Sequence, residues 1–275
     1  METIRKNVHY RFGGQAQPGD VAPYVLVPGS KQRVEQFAMR WDTARKVADH
    51  YEFLLYTGEY AGFPISACST GIGGTSVAIA VEQLAELGVR TLLRVGVTCP
   101  LVDELGLGEA VIARGAVRWD GASIDYAIPA YPALADFEVA MAGISAAEHL
   151  GIPYKFGIIG DMASLGPHRA DGFRHFLNDR TEPMRQAMYQ AGVLDGTGES
   201  AVLFVQASIF GLRAGTINIS GEDKERGRWD PSIEEKAVQV GLETLRVLAR
   251  WDQAKAERGW PYILPDLPST LPSTS

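Results

Sequence analysis

The chain has little cysteine: two residues, Cys68 and Cys99, among 275. Two thiols are too few for a disulfide framework, and they do not stand at metal-ligand spacing. Both lie in apolar runs, so they read as reduced, buried thiols of a cytoplasmic protein. The five histidines, His9, His50, His149, His168 and His175, make no ligand spacing either, so no metal is expected. Basic runs are lacking, and Asp plus Glu outnumber Lys plus Arg by 33 to 26. The resulting net charge of −7 argues against a general nucleic-acid binder. No apolar stretch approaches the ~18 residues that span a bilayer. The opening METIRKNVHYRFGG has no apolar core and no cleavage pattern, so neither a signal peptide nor a membrane partner is expected. No G-x-S-x-G elbow, G-x-G-x-x-G fingerprint or Walker A loop occurs.

Glycine is abundant instead, at 30 residues, which suits tight turns and backbone lying close to ligands. Strand-like and helix-like segments alternate along the chain. Residues 24–28 are a short apolar run ending at Pro28-Gly29. The stretch after it has a helix pattern with Ser30 as N-cap and Val34, Phe37 and Ala38 on one face. Residues 52–58 and 63–69 read as a hairpin. Thr70-Gly71-Ile72-Gly73-Gly74 then leads into a largely buried helix that ends at Gly88. Strands are expected at 91–98, 109–118 and 212–220, and helices at 135–150, 200–210 and 231–251. This alternation predicts a single α/β domain over residues 1–260 with a mixed, largely parallel sheet flanked by helices. Residues 261–275, rich in Pro and Ser, are expected to be a mobile tail.

Arg94 interrupts an apolar strand and needs a buried partner, either a structural ion pair or an anionic ligand at the sheet's edge. The T-G-I-G-G turn could converge N–H groups on an anion at a helix start, although any turn needs glycine. Gly29 and Arg33 could add an N–H and a planar guanidinium fork, against the plainer reading of Arg33 as a solvated helix residue. Glu199, opening an apolar helix, is either a dipole-stabilising acid or the acceptor for a sugar diol. Asp223 follows a buried strand and is either a solvated turn acid or a general acid.

Taken together, VPGSKQRVEQFA, CSTGIGGTSVAIAVEQLAELGVRTLLRVGVT, VRWDGASIDYAIPAYPALADFE, GESAVL and GLRAG resemble the nucleoside phosphorylase family, its uridine phosphorylase branch above all. The resemblance implies a single α/β domain around a partly barrel-like sheet. It also implies a homodimer or homohexamer with sites at the subunit interface. The implied substrates are a nucleoside and phosphate, with inorganic phosphate as co-substrate and no cofactor. Gly29, Arg33, Arg94 and Thr98 are then the phosphate positions. Gly198 and Glu199 take the ribose, with His9 reaching a neighbouring subunit's site. Arg169 and Asp223 fall at the base, and Arg94, Glu199 and Asp223 are the implied catalytic groups.

The departures from that pattern bear on the nucleophile and the base. The family arginine between a His and a Glu is here Tyr51, and the phosphate-contacting threonine is Val97, with Thr98 following. Losing one charge-assisted bond to a dianion costs roughly 1.5–3 kcal/mol. The family's base-reading glutamine is Pro167 and its stacking aromatic is Ala163. Its Glu-Met-Glu-Ser is Thr197-Gly198-Glu199-Ser200, and its Asn-Arg pair falls on Asp223-Lys224. Three activities fit these residues: a phosphorylase, a phosphate-independent nucleoside hydrolase on the same scaffold, and a non-catalytic nucleoside binder.

Overall fold

A computed structural model describes residues 12–163, 181–223, 228–229 and 232–263. The first strand, β1 (Tyr24–Leu26), is followed by α1 (Lys31–Ala38), β2 (Thr43–His50), β3 (Phe53–Tyr60) and β4 (Phe63–Cys68). Next come α2 (Gly74–Glu86), β5 (Thr91–Pro100), β6 (Ala110–Trp119), β7 (Ala133–Leu134), α3 (Phe137–Leu150) and β8 (Tyr154–Met162). The chain continues through α4 (Thr181–Gln190), β9 (Asp195–Thr197), α5 (Ser200–Phe210) and β10 (Arg213–Ser220). A small ribbon of β11 (Glu222–Asp223) and β12 (Arg228–Trp229) precedes α6 (Ser232–Arg258).

The ten-stranded sheet runs β10-β6-β8-β9-β5-β1-β4-β3-β2, with β7 on β6. Strand β10 also pairs with β5, so the β5, β9, β8, β6 and β10 segment curls on itself. The remaining strands extend from it as an open arm, and this is the partly barrel-like mixed sheet expected. The sheet is not largely parallel, however. Antiparallel pairings of β2 with β3, β3 with β4, β5 with β9, β6 with β7 and β6 with β10 match the parallel ones in number among the described residues. Hairpins make the β2–β3 and β3–β4 pairings, whereas β5 with β9 and β6 with β10 join strands far apart in the chain.

Two apolar layers cover the sheet, and strand alternation assigns residues to them. Val25, Val27, Leu92 and Ala214 pack with α2 and α5, through Val81, Leu84 and Phe204. Leu26, Leu93, Val95, Ile217 and Ile219 pack with α1, α3 and α6, through Phe37, Val139 and Leu245. Arg94 therefore shares the α2/α5 face with Leu92. Register places Thr216 beside Arg94, Asn218 beside Gly96 and Ser220 beside Thr98, so β5 and β10 present a polar patch at one end of that face.

Local sequence explains most elements. Ser30 caps α1 by accepting the Arg33 N–H at 3.3 Å. Helix α5 is buried from Ser200 to Ala207, which is why its sequence lacks a polar stripe. Cys68 is a buried free thiol whose burial pushes its pKa up. No helix among the described residues is long and apolar enough to cross a membrane. The expected C-terminal tail falls mostly outside the described residues, but Ile263 donates its N–H to Glu138 at 2.8 Å.

Candidate active site

The site is built where β5, β9 and the start of α2 meet. Arg94 and Glu199 are 7 % and 5 % exposed, and Arg94 Nη2 donates to Glu199 Oε2 at 2.7 Å. Glu199 occupies the N-cap position of α5, yet its side chain makes no capping bond. It turns back toward the sheet and accepts the N–H of Gly73 at 2.9 Å and of Gly198 at 3.0 Å. Gly73 adopts φ +94°, a backbone that side chains resist, so glycine at this turn is what aims its N–H. The anion met by the T-G-I-G-G turn is thus a carboxylate of the chain itself. Gly198 is required for closeness: a Cβ there would lie 3.0 Å from the Met162 carbonyl oxygen.

Burial alone would raise the Glu199 pKa. The Arg94 guanidinium and the N–H groups of Gly73 and Gly198 outweigh that, and the carboxyl sits below its ordinary range. Arg94 spends one nitrogen on this bond. Its buried Nε and Nη1 have no partner among the described residues.

The other expected phosphate positions lie close in the fold. Gly29 sits beside the T-G-I-G-G turn, where a Cβ would come within 3.2 Å of the Gly71 oxygen. The two loops are joined by the Thr70 N–H to the Pro28 carbonyl at 2.9 Å. Arg33 is buried rather than solvated, and its Nη1 donates to the Val95 carbonyl at 3.1 Å, one residue beyond Arg94. Its Nε and Nη2 clasp Glu234 of α6 at 2.8 and 2.7 Å. Thr98 shares Arg94's side of β5, and its hydroxyl donates to the Gly196 carbonyl at 2.9 Å. Val97 packs among the apolar residues of the opposite layer. Asp223 lies in β11, two residues past Gly221, whose N–H donates to the Thr98 carbonyl at 3.0 Å. His9 and Arg169 lie outside the described residues. Tyr51 is 57 % exposed, at φ +50°, with its ring edge-on to His50 at 4.4 Å.

A family model described as "Phosphorylase superfamily" matches residues 23–248, and those residues carry every site element just described. The chain belongs to the phosphorylase superfamily. This superfamily member is 40 % identical to a uridine phosphorylase of Thermococcus kodakarensis over 88 % of each chain. It is 36 % identical to a uridine phosphorylase of Escherichia coli, over 82 % of this chain and 92 % of the relative. A guanosine phosphorylase of Halorubrum lacusprofundi is 32 % identical, over 84 % and 93 %.

Several groups of this superfamily member escaped the sequence reading. Asp195 is fully buried, and Asn218 Nδ2 donates to it at 2.9 Å. Burial pushes the Asp195 carboxyl up to about 7, against the pull of Asn218, Thr98 and Arg94. Asn218 fits only because Gly96 faces it: a Cβ at 96 would come within 2.4 Å of Asn218 Oδ1. Asp161 of β8, also fully buried, is likewise pushed up to about 7 by burial. The signal for both Asn218 and Asp161 was present. Asp161 is a lone polar residue in an apolar run, as Arg94 is, and Asn218 lies in a Thr-Ile-Asn-Ile-Ser alternation that puts polar side chains on one face of a buried strand.

Proposed function

We propose that this protein is a nucleoside phosphorylase of the uridine phosphorylase type, converting a nucleoside and inorganic phosphate to free base and ribose 1-phosphate. The buried Arg94–Glu199 pair, with two Arg94 nitrogens unspent, carries the proposal. Relatives named uridine phosphorylase, which align over most of both chains, support it. Phosphate is the co-substrate and the reaction needs no cofactor.

As the C1′–N bond breaks, its electron pair leaves with the base and positive charge grows on the ribose. A phosphate oxygen then bonds C1′, and the base takes up a proton. Glu199, held ionised by Arg94, accepts hydrogen bonds from the ribose 2′- and 3′-hydroxyls beside Gly198 and places negative charge near the cationic sugar. Arg94 offers phosphate the N–H groups it does not give to Glu199, with Gly29, Arg33 and Thr98 around it. His9, from a neighbouring subunit of a homodimer or homohexamer, completes the ribose site. Arg169 reads the base and Asp223 protonates it as it leaves.

One observation favours phosphate-independent hydrolysis as the second reading. Both guanidiniums are matched by protein carboxylates, Arg94 by Glu199 and Arg33 by Glu234. Turnover of a panel of natural nucleosides with and without phosphate decides between them. Phosphorolysis predicts ribose 1-phosphate, and activity that vanishes when phosphate is removed. Equal turnover in its absence, giving free ribose, would establish the hydrolase instead.

A further inference from the structure

Glu199 holds the N-cap position of α5 but leaves the cap unmade, and the missing cap comes from another strand. Asp161 Oδ2 of β8 accepts the N–H of Ala201, in the first turn of α5. Asp161 Oδ1 accepts the hydroxyl of Thr197, its register partner on β9. The Thr197 hydroxyl lies 3.4 Å from the Ser200 hydroxyl, which in turn accepts from Thr216 Oγ1 at 3.1 Å. All of these side chains are buried. One carboxyl therefore grips the chain two residues before Glu199 and two residues after it.

We propose that Asp161 is a positioning residue for Glu199: by capping α5 in its place and pinning Thr197, it lets the Glu199 carboxylate turn away from the helix toward Arg94 and Gly73. A free helix N-terminus otherwise draws an N-cap acid onto its own N–H groups. With the Ala201 N–H satisfied from β8, one of the two N–H groups an N-cap side chain reaches is already taken. Between the two pinned points, Gly198 supplies the close approach the turn needs. The inference rests on the reading that Glu199 holds the ribose hydroxyls.

The test uses the full chain and compares Asp161→Ala, Asp161→Asn, Thr197→Val and Thr197→Ser. The readout is the ratio of kcat/KM for the best natural ribonucleoside to that for its 2′-deoxy counterpart, with the phosphate KM measured alongside. Asp161→Ala frees the cap, so the ribo-to-deoxy ratio falls about ten-fold, as loss of one well-aimed charge-assisted bond predicts, and the phosphate KM shifts with it because Arg94 loses the Glu199 bond. Asp161→Asn keeps the ratio, because its amide oxygen still accepts from Ala201 and its NH₂ bonds the Thr197 hydroxyl. Charge is thereby separated from geometry. Thr197→Val lowers the ratio and Thr197→Ser restores it, and this pair decides the matter should Asp161→Ala not fold. An unchanged ratio in active Asp161→Ala or Thr197→Val overturns the role of Asp161, as does equal loss with both substrates. A wild-type enzyme that cleaves no nucleoside overturns the ribose reading instead. In that event a crystal structure of Asp161→Ala with Glu199 still on the Gly73 N–H refutes the positioning role, and one with Glu199 swung onto Ala201 upholds it.

Discussion

Replacing Glu199 by Gln is the sharpest perturbation of the site, because volume is kept while charge and acceptor number change. Glu199 Oε2 accepts from Arg94 and Gly198, and Oε1 accepts from Gly73. An amide can satisfy only one of these sides. Turned to keep Arg94 and Gly198, it sets NH₂ against the Gly73 N–H, and an orphaned buried donor costs about 1–3 kcal/mol. Arg94 also loses its counter-charge while staying buried. Breaking a buried pair by removing one partner costs about 3–5 kcal/mol in total, and for a chain of this size each kcal/mol moves Tm by about 2–4 °C. A drop of roughly 6–20 °C is expected. Arg94→Met leaves the Glu199 carboxylate with two N–H donors, so its loss sits at the low end of that range.

The double variant Arg94→Met/Glu199→Gln holds no unpaired charge and is expected to lose about 1–3 kcal/mol less than the two single losses added together. Urea unfolding of the four proteins measures this coupling. In turnover, Glu199→Gln loses one charge-assisted bond to the sugar diol, about 1.5–3 kcal/mol or one to two powers of ten in kcat/KM. Additive losses, with coupling below about 0.5 kcal/mol, would refute the buried pair as the organising contact. Full activity in Glu199→Gln would refute its grip on the ribose.

Two further outcomes follow from the groups around that pair. Glu234→Gln releases one side of the Arg33 fork, so the phosphate KM should fall, and a phosphate titration showing a raised KM would make Glu234 a supporting ligand rather than a competitor. Burial pushes Asp161 and Asp195 up to about 7 from the ordinary 3.8, so the folded chain binds these protons more tightly than the unfolded one. Stability should therefore fall as pH rises from about 4 to about 7 and stay low above that window, by an amount on the order of 4 kcal/mol per group. Asp195→Asn removes one of these titrations, and chemical denaturation at pH 5 and pH 8 should show a flatter slope than wild type. An unchanged slope would mean that Asp195 titrates alike in both states.

What the sequence made legible was what it encodes locally. Ser30, the apolar face of α1, the β3–β4 hairpin and the uninterrupted apolar α5 all follow from short-range pattern. Strand β2 was missed because it lies at the sheet's edge, paired to β3 alone, and carries polar residues on an exposed ladder. Strand β8 was missed because Gly157 and Gly160 dilute its apolar signal. Those glycines are forced by packing, since Cβ atoms there would meet Leu194 at 2.8 Å and Met188 at 3.1 Å. Arg33 looked like a surface residue because its partner, Glu234, lies 201 positions along the chain. No local pattern carries that information, and the same holds for the Asp161 cap.

The pairing of Arg94 with Glu199 also bears on how the two halves of a substrate complex are held. An anion that engages Arg94 does so through the N–H groups not given to Glu199, which are Nε, Nη1 and the second hydrogen of Nη2. Glu199 in turn has one acceptor site open, on Oε1, so a sugar diol gripped by both hydroxyls replaces one of the three donors now on the carboxylate. The bond between the two side chains is then not lost binding capacity. In the proposed reaction it fixes the place of the anion relative to the place of the sugar before either arrives. For a displacement at C1′, alignment of nucleophile and anomeric carbon set in advance lowers the barrier by up to several kcal/mol. A lysine at 94 could not serve both, since its point charge has no planar fork to divide between two partners in fixed directions.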